Sequence, residues 1–66
     1  MEYMIEYKEY RFKFFDMNGV YTVCCYVIFP YDTPLCTIEE YARRDLNTLR
    51  SGGVVLNYVE VEPVDD

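Results

Sequence analysis

The side chains that could do chemistry in this chain are few in kind: three cysteines, twelve carboxylates, six lysines and arginines, and no histidine. Without histidine the commonest general base and metal ligand is missing. Cys24 and Cys25 are adjacent and Cys36 stands apart, so no Cys-x-x-Cys pair exists for zinc or redox work. Neighbouring strand residues point to opposite faces, which leaves Cys24 and Cys25 poorly placed to bridge each other. An odd cysteine count without a spaced framework reads as free thiols in a reducing cytosol. Glu39 and Glu40 are a carboxylate pair by sequence, but positions i and i+1 of a helix do not face each other. Gly52-Gly53 follows a helical stretch, whereas a phosphate-cradling loop would open one. No catalytic, cofactor-binding or metal-ligating residue is expected, and the chain does not read as an enzyme.

Charge points to recognition instead. Twelve acids against six bases give a net charge of −6 and a pI near 4.4. A free-standing nucleic-acid binder or a ligand of anionic membranes would normally carry the opposite sign. A protein with a basic surface is the favoured partner. Lys8, Tyr10, Arg11, Phe12, Lys13 and Phe14 do interleave bases and rings, as single-strand-binding surfaces do. Strand alternation, however, puts Arg11 and Lys13 on one face and Tyr10, Phe12 and Phe14 on the other. The rings are assigned to the core, the cations to nearby acids, and no direct nucleic-acid binding is expected.

These residues need elements to hold them. Sixty-six residues make one small domain, residues 1–66, with a marginal core. No apolar run approaches the roughly 18 residues of a membrane span, and no secretory signal is visible. The chain is expected to be soluble and cytoplasmic. Asn18-Gly19 supplies the positive φ angles of a tight hairpin turn between YRFKFF and VYTVCCYVIF. In the second run Tyr21, Val23, Cys25, Val27 and Phe29 are the core-facing set, with Thr22, Cys24, Tyr26 and Ile28 outward. Pro30 ends that strand. Thr37-Ile38-Glu39-Glu40 matches a capping box for a helix from about Ile38 to Ser51. Its apolar stripe is Ile38, Tyr41, Ala42, Leu46 and Leu49, with Glu39 and Glu40 at the start, Arg50 near the end and a Gly52-Gly53 stop. A last strand runs from Val54 to Glu62 before Pro63. The fold class is α+β: β-β-α-β, a three-stranded antiparallel sheet in order 2-1-3 with one helix on one face.

The first segment is ambiguous. Alternation from Glu2 to Tyr7 puts Tyr3, Ile5 and Tyr7 on one face, and the parity switches across Tyr7-Lys8-Glu9-Tyr10. A β-bulge near Lys8-Glu9 accounts for the switch; a short helix or a loose arm over residues 1–8 are the alternatives. If this segment neighbours the last strand, Glu2 and Glu6 gather with Glu60, Glu62, Asp65 and Asp66. Like charges facing each other in a sheet are unfavourable, so such a patch suits a basic partner; the plainer reading is that the acids protect an edge strand from aggregation. Tyr26, Tyr31 and Tyr58, with Ile28, cannot all fit under one short helix and are candidate interface anchors.

In layout the stretches VIFPYDTPLCTIEEYARR and VVLNYVEVEPV, with a TxEE-type helix start and a V-x-V-x-P ending, resemble the phage inhibitor of bacterial RNA polymerase. The small, acidic, histidine-free and tyrosine-rich character is similar to anti-CRISPR proteins that mimic nucleic-acid charge. The resemblance is to a class of small phage-encoded inhibitors that bind a host enzyme or defence complex. It implies an anti-defence or transcription inhibitor in the cytoplasm of an infected bacterium, which occludes a basic, nucleic-acid-binding surface. The residues expected to meet the partner are Glu2, Glu6, Tyr26, Tyr58, Glu60 and Glu62. The alternative is a structural module that pairs with a copy of itself, as a homodimer, through an exposed strand edge.

Overall fold

The computed structural model describes residues 6–64. Strand β1 (Tyr7–Phe15) is followed by β2 (Tyr21–Pro30), helix α1 (Leu35–Ser51) and β3 (Tyr58–Pro63). The sheet order is β2-β1-β3, and both neighbours run antiparallel to β1. The expected class, order and helix-on-one-face arrangement are all present. Because β1 is central, its alternation is read by both neighbours. Phe12 and Phe14 point inward and are fully buried, while Arg11 and Lys13 point outward and are half-buried. Phe29, Ile38, Ala42, Leu46 and Leu56 complete the core.

Four local expectations change. The register from Tyr7↔Pro30 to Phe14↔Val23 is unbroken, so no bulge lies near Lys8-Glu9. Tyr7 is consequently on the outer face and exposed, and residues 1–5 lie outside those described. The irregularity sits instead where Phe14 pairs Val23 but Phe15 pairs Tyr21. The extra residue, Thr22, turns Tyr21 out of the core set to which simple alternation had assigned it.

The hairpin turn also differs. Only Gly19 has positive φ, at 77°, and Asn18 does not. Asp16 organises the turn: its carboxylate accepts from the Asn18 and Val20 amides at 2.8 and 2.9 Å, and its carbonyl accepts from Gly19 at 3.0 Å. This is a three-residue loop closed by a glycine in the left-handed region, not a two-residue primed turn.

Helix α1 starts a turn earlier than the capping-box reading placed it. Pro34 is the N-cap, and its carbonyl accepts from the Thr37 and Ile38 amides at 3.1 and 3.3 Å. The Thr37 amide is thus already used within the helix and cannot be the acceptor's partner in a box with Glu40. No side chain caps the start, and Glu39 and Glu40 fall in the second turn. Proline serves here because its missing N–H would have had no partner anyway.

The helix end follows the sequence closely. Val54 N–H bonds the Leu49 carbonyl at 3.1 Å and Gly53 N–H bonds Arg50 at 3.0 Å, with Gly53 at φ 94°. This is the two-bond Schellman ending, and Leu49 and Val54 both pack against the core beside it. The last strand is shorter than expected, because Val54–Asn57 carries the chain from the helix end to the sheet. Leu56 is inserted into the core on the way and Asn57 N–H bonds the Phe15 carbonyl at 2.8 Å.

A domain of this size has a total stability of roughly 3–10 kcal/mol. Truncating Phe12 to alanine costs about 3–5 kcal/mol, enough to leave much of the population unfolded. Gly53→Ala, which forces a Cβ into the left-handed region, costs about 1 kcal/mol. Urea denaturation of the two variants beside the parent should therefore rank them parent, Gly53→Ala, Phe12→Ala in falling midpoint.

Candidate functional site

Helix α1 covers one face of the sheet and leaves the other open. The register brings three cross-strand rows to that open face: Tyr26–Arg11–Glu62, Cys24–Lys13–Glu60 and Tyr21–Phe15–Tyr58. In the first row Arg11 Nε donates to Glu62 Oε1 at 2.6 Å, a second guanidinium nitrogen bonds the same oxygen, and the Arg11 Cζ lies 6.0 Å from the Tyr26 ring centre. Lys13 Nζ is 3.8 Å from the other Glu62 oxygen, 5.4 Å from the Tyr21 ring centre and 5.8 Å from that of Phe15. Phe15 stacks on Tyr58 with ring centres 4.7 Å apart and planes within 9°. Tyr21 meets Phe15 edge-on at 5.9 Å.

The face is therefore built around paired cations. Partly exposed ion pairs contribute about 0–1 kcal/mol each to stability, so their main effect is to fix Glu62, Arg11 and the rings in one arrangement. Glu9 and Glu60 remain exposed on the same side, giving three carboxylates to two cations across the face. Around this centre, Tyr26 is 56% exposed, Ile28 61% and Tyr58 39%.

The structure brings Tyr26, Tyr58, Glu60 and Glu62 to one face. Glu2 lies outside the described residues. Glu6 is elsewhere: its carbonyl accepts from the Tyr31 amide at 2.8 Å, at the β2 end of the sheet. Glu60 pairs with Lys13, seven residues along β1, a separation of about 23 Å at strand rise. The expected gathering of Glu6 with Glu60 and Glu62 does not occur, because β3 pairs only with Tyr10–Phe15 and stops short of that end. Glu62 also serves an internal role as the counter-ion of Arg11 and Lys13, as the sequence pattern of β1 had implied for some nearby acid.

Two features went unread in the sequence. Neighbouring strands bring rings to the cation face of β1, which alternation within β1 alone could not show. The Thr22 bulge then adds Tyr21 to them. A groove of about 610 Å³ also runs between α1 and β3, lined by Leu35, Glu39, Arg43 and Leu46 from the helix and by residues 57–62 from the strand side. Leu35, Glu39 and Arg43 recur at i, i+4 and i+8, a helical stripe next to the apolar one, so this signal was present.

Among the described residues no group of three or more cysteines and carboxylates is arranged to hold a metal ion. Cys24, Cys25 and Cys36 are free thiols. Desolvation, and then the Asp45 charge, push the Cys25 thiol up. The Tyr21 phenol is also raised, chiefly by the Cys24 side chain beside it. Compared with known protein families, curated proteins and solved structures, the chain matches none.

Alkylation proceeds through the thiolate, so iodoacetamide near pH 8 should label exposed Cys36 first and half-buried Cys25 last, as read by peptide mass mapping. The folded chain holds the Cys25 proton to higher pH than the unfolded chain does. Stability should therefore fall as pH rises above the ordinary thiol range, and Cys25→Ser should weaken that fall.

Proposed function

We propose that this chain is a non-catalytic protein-binding module of the inhibitor kind, and that the open sheet face is its recognition surface. The observation that carries this reading is the set of exposed rings on the face opposite the helix, with Tyr26 beside the Arg11–Glu62 pair and Tyr21 and Tyr58 flanking Phe15 two rows along. Rigid aromatic anchors with an arginine at the centre and charge at the rim are the composition of binding hot spots. The overall charge of −6 favours a partner with a basic surface and steers its approach. A nucleic-acid ligand is disfavoured, since Glu62 occupies both cations that would otherwise meet phosphates.

The finer reading is that of a phage-type inhibitor: the module occludes a basic, nucleic-acid-binding surface of a host protein, of the defence or transcription machinery. Its carboxylates would stand where phosphates otherwise bind. The layout resemblance supports this class, and the exposed Glu60, opposite Lys13 in the row next to Tyr58, supplies an acid beside the aromatic row.

The test is affinity capture from a bacterial lysate followed by titration of the retained protein. Tyr26→Ala and Tyr58→Ala should each weaken binding by about 2 kcal/mol or more, as hot-spot residues do. Glu60→Lys should slow association, with the loss shrinking as salt rises. Retention undiminished by all three variants would refute the open face as the binding surface. A partner whose nucleic acid still binds in the complex would refute occlusion alone.

A further inference from the structure

The two outer strands both end in proline, and β2 bulges at Thr22, but they differ sharply in length and charge. β3 is short, carries Glu60 and Glu62 and ends in Pro63, which are the usual protections of an edge. β2 is ten residues long, YTVCCYVIFP, and carries no charge at all in a chain with eighteen charged residues, twelve acidic plus six basic. Its backbone polarity follows from the ladder. The Tyr31 amide donates to the Glu6 carbonyl next to the Tyr7↔Pro30 pair, and antiparallel bonding alternates from there. Cys25, Val27 and Phe29 therefore turn their amides toward β1, and Cys24, Tyr26 and Ile28 turn theirs outward. The helix also leaves a shallow groove of about 210 Å³ along this side, where Val23 and Cys25 lie beside Thr48 and Leu49, with Asp45 as its one charged residue.

We propose that β2 pairs antiparallel with β2 of a second copy, forming a continuous six-stranded sheet with both helices on the same face. A second copy is the occupant that the charges select. At −6 per chain, copies repel one another over most of their surface, and a β3–β3 contact would set Glu60 and Glu62 against their own copies. A β2–β2 contact sets only Cys24, Tyr26 and Ile28 on one side and Val23, Cys25 and Val27 on the other. A two-fold axis perpendicular to the sheet makes the contact self-complementary, with inner residues beside inner residues. Such a pair would extend the apolar inner surface past the groove at Val23 and Leu49. One strand pair buries less than the roughly 1,200 Å² of a standard interface, so the dimer is a concentration-dependent one. The inference does not rest on what the open face binds, although Tyr26 belongs to both surfaces.

Sedimentation of the full chain under a reducing agent, from about 1 μM to about 1 mM, should show the mass rising from 7.9 kDa toward twice that value. Hydrogen exchange followed by NMR over the same range should slow at the Cys24, Tyr26 and Ile28 amides by at least about tenfold at the high end. Ile28→Pro removes an outward amide without touching the β1 ladder, and it should remain monomeric with an unchanged circular dichroism spectrum. A monomer at every concentration would overturn the proposal. So would a dimer in which those three amides exchange equally fast throughout, since that dimer would use another surface. If Ile28→Pro fails to fold, the exchange comparison on the parent chain decides alone.

Discussion

Everything in this fold depends on the alternation of β1 being read twice. Phe12 and Phe14 enter the core only because Arg11 and Lys13 leave it, and both neighbouring strands must accept that phase. A slip of one residue against either neighbour would bury two cations and expose two phenylalanines. In a domain whose net stability is on the order of 10 kcal/mol or less, neither exchange is tolerable. The register is therefore fixed by the central strand, and the positions of the outer residues follow from it. Glu62 meets Arg11 because Val61 must lie beside Phe12, and Tyr26 meets Arg11 because Cys25 must lie on the other side of it.

The same constraint divides the molecule into a settled side and an available one. One helix of seventeen residues is enough to cover Phe12, Phe14 and Phe29 with Ile38, Ala42 and Leu46. It is not enough to cover two faces of a sheet. The aromatic content that so small a core cannot absorb is displaced to the open face, where Phe15, Tyr21 and Tyr58 pack against one another and the lysine and arginine sit over rings. Rings fixed in this way lose little further freedom when a partner covers them, which favours binding over mere stickiness.

Much of this was legible in the sequence, and the parts that were not have physical reasons. The strand order and the faces of Arg11, Phe12, Lys13 and Phe14 follow from period-two alternation and from a first segment long enough to pair on both sides. The helix stop at Gly52-Gly53 follows because only glycine takes a left-handed backbone at little cost. The helix starts before Thr37-Ile38-Glu39-Glu40, which fits a capping box by residue type alone, because Pro34 already closes the turn that the box requires. Tyr21 and Tyr7 lie on the face opposite to the one simple alternation implies, because alternation carries no mark of where a bulge falls. Glu6 does not meet Glu60 and Glu62, because the length of β3, not its charge, decides how far along β1 it reaches. Tyr26 and Tyr58 could be named as outward residues, but their meeting across β1 with Arg11 and Phe15 is a property of the register alone.

The central claim is that the face away from the helix is the one a partner covers. Chemical-shift mapping of the isotopically labelled chain on addition of its captured partner tests this most directly. The amides of Tyr21, Tyr26, Tyr58 and Glu60 should shift or broaden, while those of Glu40, Arg44 and Asn47 on the helix stay in place. Changes confined to the helix, with the strand amides unmoved, would contradict the account.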